Sequence, residues 1–299
     1  MGKGDCPVDL FRCSKTTVLS INPKITSMFE QFYLTDKIRL VAELAESDWL
    51  VVTFAHMDFD KDDGQFWGQG PLKKLGYSRV GVVCRGNHWF PPGDMAYISD
   101  KIRELAKSYK KIILYGFSMG AYAAIKYSKL LEADVSIALS PQYSIDPKDV
   151  FHHDKRLMRH FDSDLNVNMA VTDSNIGGNV YVFYDPYVAE DRWNCDQIIR
   201  QDTTRSHIKM LPAPRIGHET IDLFSSTESL GKLIQYCVDG NMDALRSITA
   251  QSRRRAPRRI INSLRQLRET NAARAGRLFE TYSPQLPVYW QDQWGQKVT

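Results

Sequence analysis

The residues best suited to chemistry are Gly116-Phe117-Ser118-Met119-Gly120, set between the apolar run KIILY and the helix-forming run AYAAIKYSKLL. A serine hydroxyl becomes a useful nucleophile only when a neighbouring base takes its proton. Glycines two places before and two places after it let a strand turn sharply into a helix without side-chain collisions, which lifts the hydroxyl above the end of a sheet. The helix that follows starts at Met119. Its backbone N–H has no acceptor within the helix and faces the place where an oxyanion would develop. The pattern therefore predicts Ser118 as nucleophile and Met119 as an oxyanion donor. The rival reading is a glycine-rich strand-to-helix turn with no chemistry.

Such a serine needs a framework of strands and helices. Apolar or β-branched runs recur at residues 16–21, 38–44, 48–55, 78–84, 110–116, 134–140, 179–184 and 207–213. Helix-period segments lie between them at 71–75, 96–108, 119–131, 194–200 and 219–237. Runs such as VVTFA and IILYG are apolar on both faces, as strands are when helices cover both sides of a mostly parallel sheet. The expectation is a doubly wound α/β layer structure with an eight-stranded sheet. Residues 141–178 break the rhythm and read as an insertion above the sheet, with a short helix over 148–161. From about residue 241 the strands stop, so residues 1–240 are expected to form the main domain. Residues 241–299 would form a helical extension, with helices at 242–252, 258–271 and 273–282 and an aromatic tail.

With strand, turn and helix in this order, the chain resembles the α/β-hydrolase superfamily over roughly residues 35–237. The resemblance implies a chain order of nucleophile, acid, histidine. It points to His218, in Ile-Gly-His-Glu after the last strand, as the base. The acid would follow the run NVYVFY, where Asp191 is favoured, Asp185 is the alternative and Glu190 is a remote third. The carboxylate would hold the imidazole in the tautomer that accepts the serine proton. The resemblance also implies a second oxyanion donor after the third strand, which puts Met57 in the donor place. His56 then stands where related enzymes usually carry glycine, so it either narrows the cleft or contributes its own side chain. The stretches 70–90 and 115–146 look like a bacterial branch often associated with surface-polysaccharide or glycan-related systems.

Ligands of doubly wound sheets bind beyond the carboxyl ends of the strands. There the sequence offers Asn87, His88 and Trp89, with Trp67, Phe90, Asp60, Asp62 and Asp63 nearby. Rings interspersed with hydrogen-bonding groups suit a hydroxyl-rich ligand such as a sugar, and the alternative is that the rings are buried loop anchors. The aspartate-rich loop lacks calcium-loop spacing, and His152, His153 and His160 lack metal-ligand spacing and read as a solvated face of the insertion. No metal or cofactor is expected.

Composition narrows the class. The chain of 299 residues is 43% hydrophobic and 25% charged, which is ordinary globular usage. It contains no run of about 18 apolar residues and no apolar leader near the start, so no membrane span and a cytoplasmic location are expected. Five scattered cysteines (Cys6, Cys13, Cys84, Cys195, Cys237) read as reduced thiols. The net charge of +4 is uneven: residues 252–278 carry nine arginines against the single Glu269, so the remainder is mildly acidic. That basic segment is expected to pack with a solvated face, or to dock a protein or polyanion partner. Nucleic-acid binding is not expected, because no recognised motif accompanies the charge. The leading expectation is a serine hydrolase acting on a carboxylic ester, a small one or an acylated glycan. The alternative is a non-catalytic module of the same fold that binds a glycan or protein partner.

Overall fold

A computed structural model of the chain describes residues 28–33, 35, 37–59 and 64–294. Eight strands form one sheet: β1 (Met28–Tyr33), β2 (Ile38–Leu44), β3 (Trp49–Phe54), β4 (Ser78–Cys84), β5 (Lys111–Phe117), β6 (Val135–Leu139), β7 (Asn179–Tyr184) and β8 (Ile208–Pro212). Their order is β1-β2-β4-β3-β5-β6-β7-β8. β2 runs antiparallel to both β1 and β4, and every pairing from β4 through β8 is parallel. Seven strands lie on the apolar runs expected from the sequence. The first is Met28–Tyr33, and the expected run 16–21 lies outside the described residues, as do Cys6, Cys13, Asp60, Asp62 and Asp63.

Alternation along the strands divides the core between two faces. Leu50, Val52, Phe54 and Leu114 pack on one side with Met95, Ile98 and Ile102 of α2 (Pro92–Ala106), Ala121 to Ile125 of α3 (Met119–Lys126), and Cys195 and Ile198 of α5 (Ala189–Gln201). Val51, Ile113, Tyr115 and Ile137 pack on the other with Leu72 of α1 (Gln69–Lys74), Leu230, Leu233 and Ile234 of α6 (Thr227–Val238), and Leu245 of α7 (Met242–Arg255). Helices thus cover both faces, which is why the strands carry continuous apolar runs. Cys84, Cys195 and Cys237 are free and buried.

The insertion departs from the expected helix over 148–161. It contains only α4 (Pro147–Val150) and two 3-10 turns, Met158–His160 and Asp173–Asn175. Asp154 is the physical reason: its carboxylate takes both the backbone N–H and the guanidinium of Arg156, a local bond set that competes with helix propagation.

After α7 come α8 (Pro257–Thr270), α9 (Ala272–Tyr282) and α10 (Val288–Gln293). Ile261 and Leu264 of α8 are buried. Part of the arginine charge is spent within the chain: Arg258 and Arg268 lie 4.8 Å from the rings of Trp290 and Trp294, and Arg268 also donates to the Trp294 carbonyl. Among the described residues, no helix is long and apolar enough to cross a membrane.

Candidate active site

Ser118 occupies the turn between β5 and α3 with φ 52° and ψ −119°, a conformation that a residue with a Cβ rarely adopts. The surroundings enforce it. A Cβ on Gly116 would collide with the Gly120 carbonyl, and one on Gly120 would collide with the Phe54 carbonyl at the end of β3. Ser118 N–H donates to Leu139 of β6 at 2.9 Å, and the Ser118 carbonyl receives the N–H groups of Ala121 and Tyr122 in α3. The turn is therefore wedged between the ends of β3 and β6, and the hydroxyl projects past the carboxyl edge of the sheet.

His218 arrives from the loop after β8. Its Nε2 lies 2.9 Å from Ser118 Oγ, and its Nδ1 lies 2.8 Å from Asp191 Oδ2. A carboxylate only accepts, so Nδ1 carries the proton and Nε2 is left to receive that of Ser118. Asp191 is 1% exposed and sits in the first turn of α5, where the helix dipole favours a negative charge. Its other oxygen, Oδ1, receives Nη2 of Arg156 at 2.8 Å. Asp185 does a different job: Oδ2 takes the Gly217 N–H at 2.6 Å and Oδ1 takes the Tyr187 N–H at 2.9 Å. It braces the loop one residue before the imidazole.

The strand order, the strained serine turn after β5, the carboxylate after β7 and the imidazole after β8 together decide the architecture. The chain has the α/β-hydrolase fold. Among solved structures it is similar to the Glycosylation Associate Protein (Gap123) complex from Streptococcus agalactiae, with a TM-score of 0.50 at 14% identity, covering 71% of this chain and 46% of that one. It is also similar to the Pyrococcus furiosus esterase Pf2001 (TM-score 0.47, 14% identity, 75% of this chain and 98% of that one). The capsule O-acetyltransferase of Neisseria meningitidis serogroup A is a further match (TM-score 0.49, 13% identity, 69% and 93%). At such identities the likeness is one of fold. No family model matches the chain, and no curated protein does.

In this hydrolase fold the Met119 N–H, first in α3, has no acceptor four residues back in its helix. The loop carrying Met57 leaves β3 directly beside Gly120, whose close approach to the Phe54 and Ala55 carbonyls brings that loop against the serine turn. His56 donates from Nδ1 to the Met57 carbonyl at 2.7 Å, which ties its ring to the loop. The half-buried rings of His56, Phe117 and His218 follow one another across the mouth at 6.1 and 5.5 Å between centroids. On the opposite side, Gln142 donates from Nε2 to Ser118 Oγ at 3.4 Å and to the Ser140 carbonyl at 3.3 Å, while its Oε1 is buried without a partner.

The expected sugar-reading residues fare differently. Trp89 is 1% exposed and stacked on His160, so it anchors its loop beneath the surface and offers no face to a ligand. Phe90 is equally buried. Asn87 exchanges two 2.9 Å hydrogen bonds with Asp58, which fastens the loops after β3 and β4 to each other and occupies the amide meant for hydroxyls. The half-buried His88 gives its carbonyl to Asn166. His152 and His153 are exposed, as a solvated face requires, with His153 stacked on Trp193 at 4.5 Å, whereas His160 is half-buried against Trp89. Among the described residues no cluster of His, Cys, Asp or Glu could hold a metal ion.

Gln142, Asp154, Arg156 and Asn194 escaped the sequence reading. They lie in the insertion or on a helix flank, and no local motif marks them.

Proposed function

We propose that the protein is a serine hydrolase that cleaves carboxylic esters. The observation that carries this reading is the continuous hydrogen-bonded line from Ser118 Oγ through both nitrogens of His218 to the buried carboxylate of Asp191. Ser118 Oγ attacks the ester carbonyl as its proton passes to His218 Nε2, and Asp191 stabilises the imidazolium formed. The tetrahedral oxyanion lies against the Met119 N–H and the loop of Met57, where preorganised donors are worth on the order of 10²–10³ in rate. His218 then returns the proton to the departing alcohol, leaving an acyl-serine. A water, deprotonated by the same imidazole, attacks that acyl group, and the acid and free serine result. Every step uses groups of this chain, and none needs a metal or cofactor.

An uncharged ester fits a mouth ringed by half-buried aromatic groups, and the imidazole of His56 supplies hydrogen-bonding capacity for a hydroxylated alcohol such as an acylated glycan. A binding module of the same fold would have no use for a strained serine aligned with an imidazole and a buried carboxylate. Turnover of p-nitrophenyl acetate by the wild type, lost in Ser118→Ala and in His218→Ala, is the expected result. Equal turnover by all three would remove the enzyme reading. Release of free acid from an O-acylated polysaccharide, measured with the same variants, tests the glycan preference separately.

A further inference from the structure

The second oxygen of the proposed triad acid is held by a guanidinium from the insertion. Arg156 Nη2 lies 2.8 Å from Asp191 Oδ1, while Nε and Nη2 grip Asp154 at 2.9 and 2.8 Å. Asp154 is 4% exposed and also receives the Asn194 side-chain amide at 2.8 Å. Asn194 Oδ1 in turn takes the backbone N–H of Tyr143, next to the Gln142 that reaches Ser118. The path Tyr143–Asn194–Asp154–Arg156–Asp191–His218–Ser118–Gln142 closes on itself. It runs through the insertion, the first turns of α5, the loop after β8 and the serine turn.

We propose that Arg156 is a positioning residue that fixes the Asp191 carboxylate and sets the proton affinity of His218 through it, so that the insertion is an electrostatic part of the site. The inference rests on reading Ser118, His218 and Asp191 as nucleophile, base and acid. Its physical basis is simple: a carboxylate that faces only an imidazole favours imidazolium, and a cation on its far oxygen opposes that charge. Burial works against the charge of Arg156, but Asp154 and Asp191 outweigh it and hold the guanidinium more firmly protonated than usual. The cation therefore stays in place throughout the range in which histidine titrates.

Other charged groups near His218 lie on its own loop or on elements beside it. They are Asp185 behind Gly217, Glu219 and Asp222 just beyond the histidine, Arg215 on the same loop, and Arg258 of α8, which pairs with Glu219 and Asp222. None of them touches Asp191, so a change at Arg156 is separable from them.

The test is a titration of the His218 imidazole by proton NMR, assigned by its absence in His218→Gln, in wild type, Arg156→Met and Arg156→Lys, with folding checked by circular dichroism. The Met variant is expected to raise the His218 midpoint by on the order of one pH unit. The acid limb of kcat/KM should move the same way, and kcat should fall. Arg156→Lys keeps the charge without the fork and should restore most of the midpoint but only part of kcat. If Arg156→Met does not fold, Arg156→Gln against Arg156→Lys gives the same comparison. An unchanged or lowered midpoint in a folded neutral variant would overturn the proposal. Should the wild type turn over no ester, the hydrolase reading fails, whereas the imidazole titration still decides whether Arg156 governs His218.

Discussion

Gly217 gives its backbone N–H to Asp185 while the imidazole of the very next residue turns to Asp191. Two aspartates six positions apart thus share one loop, one bracing its backbone and the other facing its ring. Their substitution should separate these duties. Asp191→Asn is expected to lower kcat by about 10⁴-fold with little loss of stability, because the ring loses the acceptor that fixes its tautomer. Asp185→Ala should instead cost about 1–3 kcal/mol in denaturant unfolding by orphaning the backbone N–H groups of Gly217 and Tyr187, with a smaller drop in turnover. Equal kinetic effects would show that the division does not exist.

Gly120 tests the fit of the serine turn against β3. Gly120→Ala would drive a Cβ into the Phe54 carbonyl, and backbone there has little room to move. A loss of about 1–3 kcal/mol in thermal or denaturant unfolding is expected, with turnover disproportionately reduced because Ser118 shifts. A variant of full stability and full turnover would contradict the packing described.

Helix α8 clasps the loop that bears His218. Asn262 donates to the Arg215 carbonyl at 3.1 Å, and Arg258 reaches Glu219 at 3.0 Å and Asp222 at 2.8 Å. Deleting residues 252–299 should therefore lower the melting temperature and the turnover together. Asn262→Ala should cost about 1 kcal/mol. Arg258→Ala should cost less, and its effect should shrink as salt is added, since both of its pairs are partly exposed. A deletion variant with unaltered melting and turnover would show that α8 gives the loop no support.

Acid stability carries a further signature. Burial alone would raise the Asp154 carboxyl, but hydrogen bonds from Arg156 and Asn194 prevail and hold it below the usual carboxylate range. A carboxyl depressed in the folded state contributes stability above its unfolded value of about 3.9, and that contribution disappears as pH falls through the lower folded value. Melting temperature plotted against pH should therefore fall less steeply below about pH 4 in Asp154→Asn than in wild type. Parallel curves would mean that Asp154 is not part of the acid response.

Much of this architecture is legible in the sequence, because each legible part rests on a local pattern. The β2, β4 and β7 runs match strands residue for residue, since apolar stretches buried on both faces are bounded by turn formers. The serine turn is readable from two glycines and a change of period. The insertion is legible as a break in rhythm, but its interior is not: its helical periodicity yields to an aspartate whose partner is Arg156, and Arg156 acquires meaning only when α5 brings Asp191 beside it. Gln142 and Asn194 belong to the same class, with roles set by contacts across 24 and 51 residues of chain. Trp89 misleads for the opposite reason, because an aromatic residue at a loop near the sheet's edge reads the same whether it faces ligand or core.

The most direct test of the account is the intact mass of the protein after treatment with a fluorophosphonate, which captures only a serine activated by its surroundings. The wild type should gain one adduct, located on Ser118 by peptide mapping, and Ser118→Ala should gain none. An unmodified wild type, or an adduct on a different residue, would contradict the assignment of Ser118 as the nucleophile.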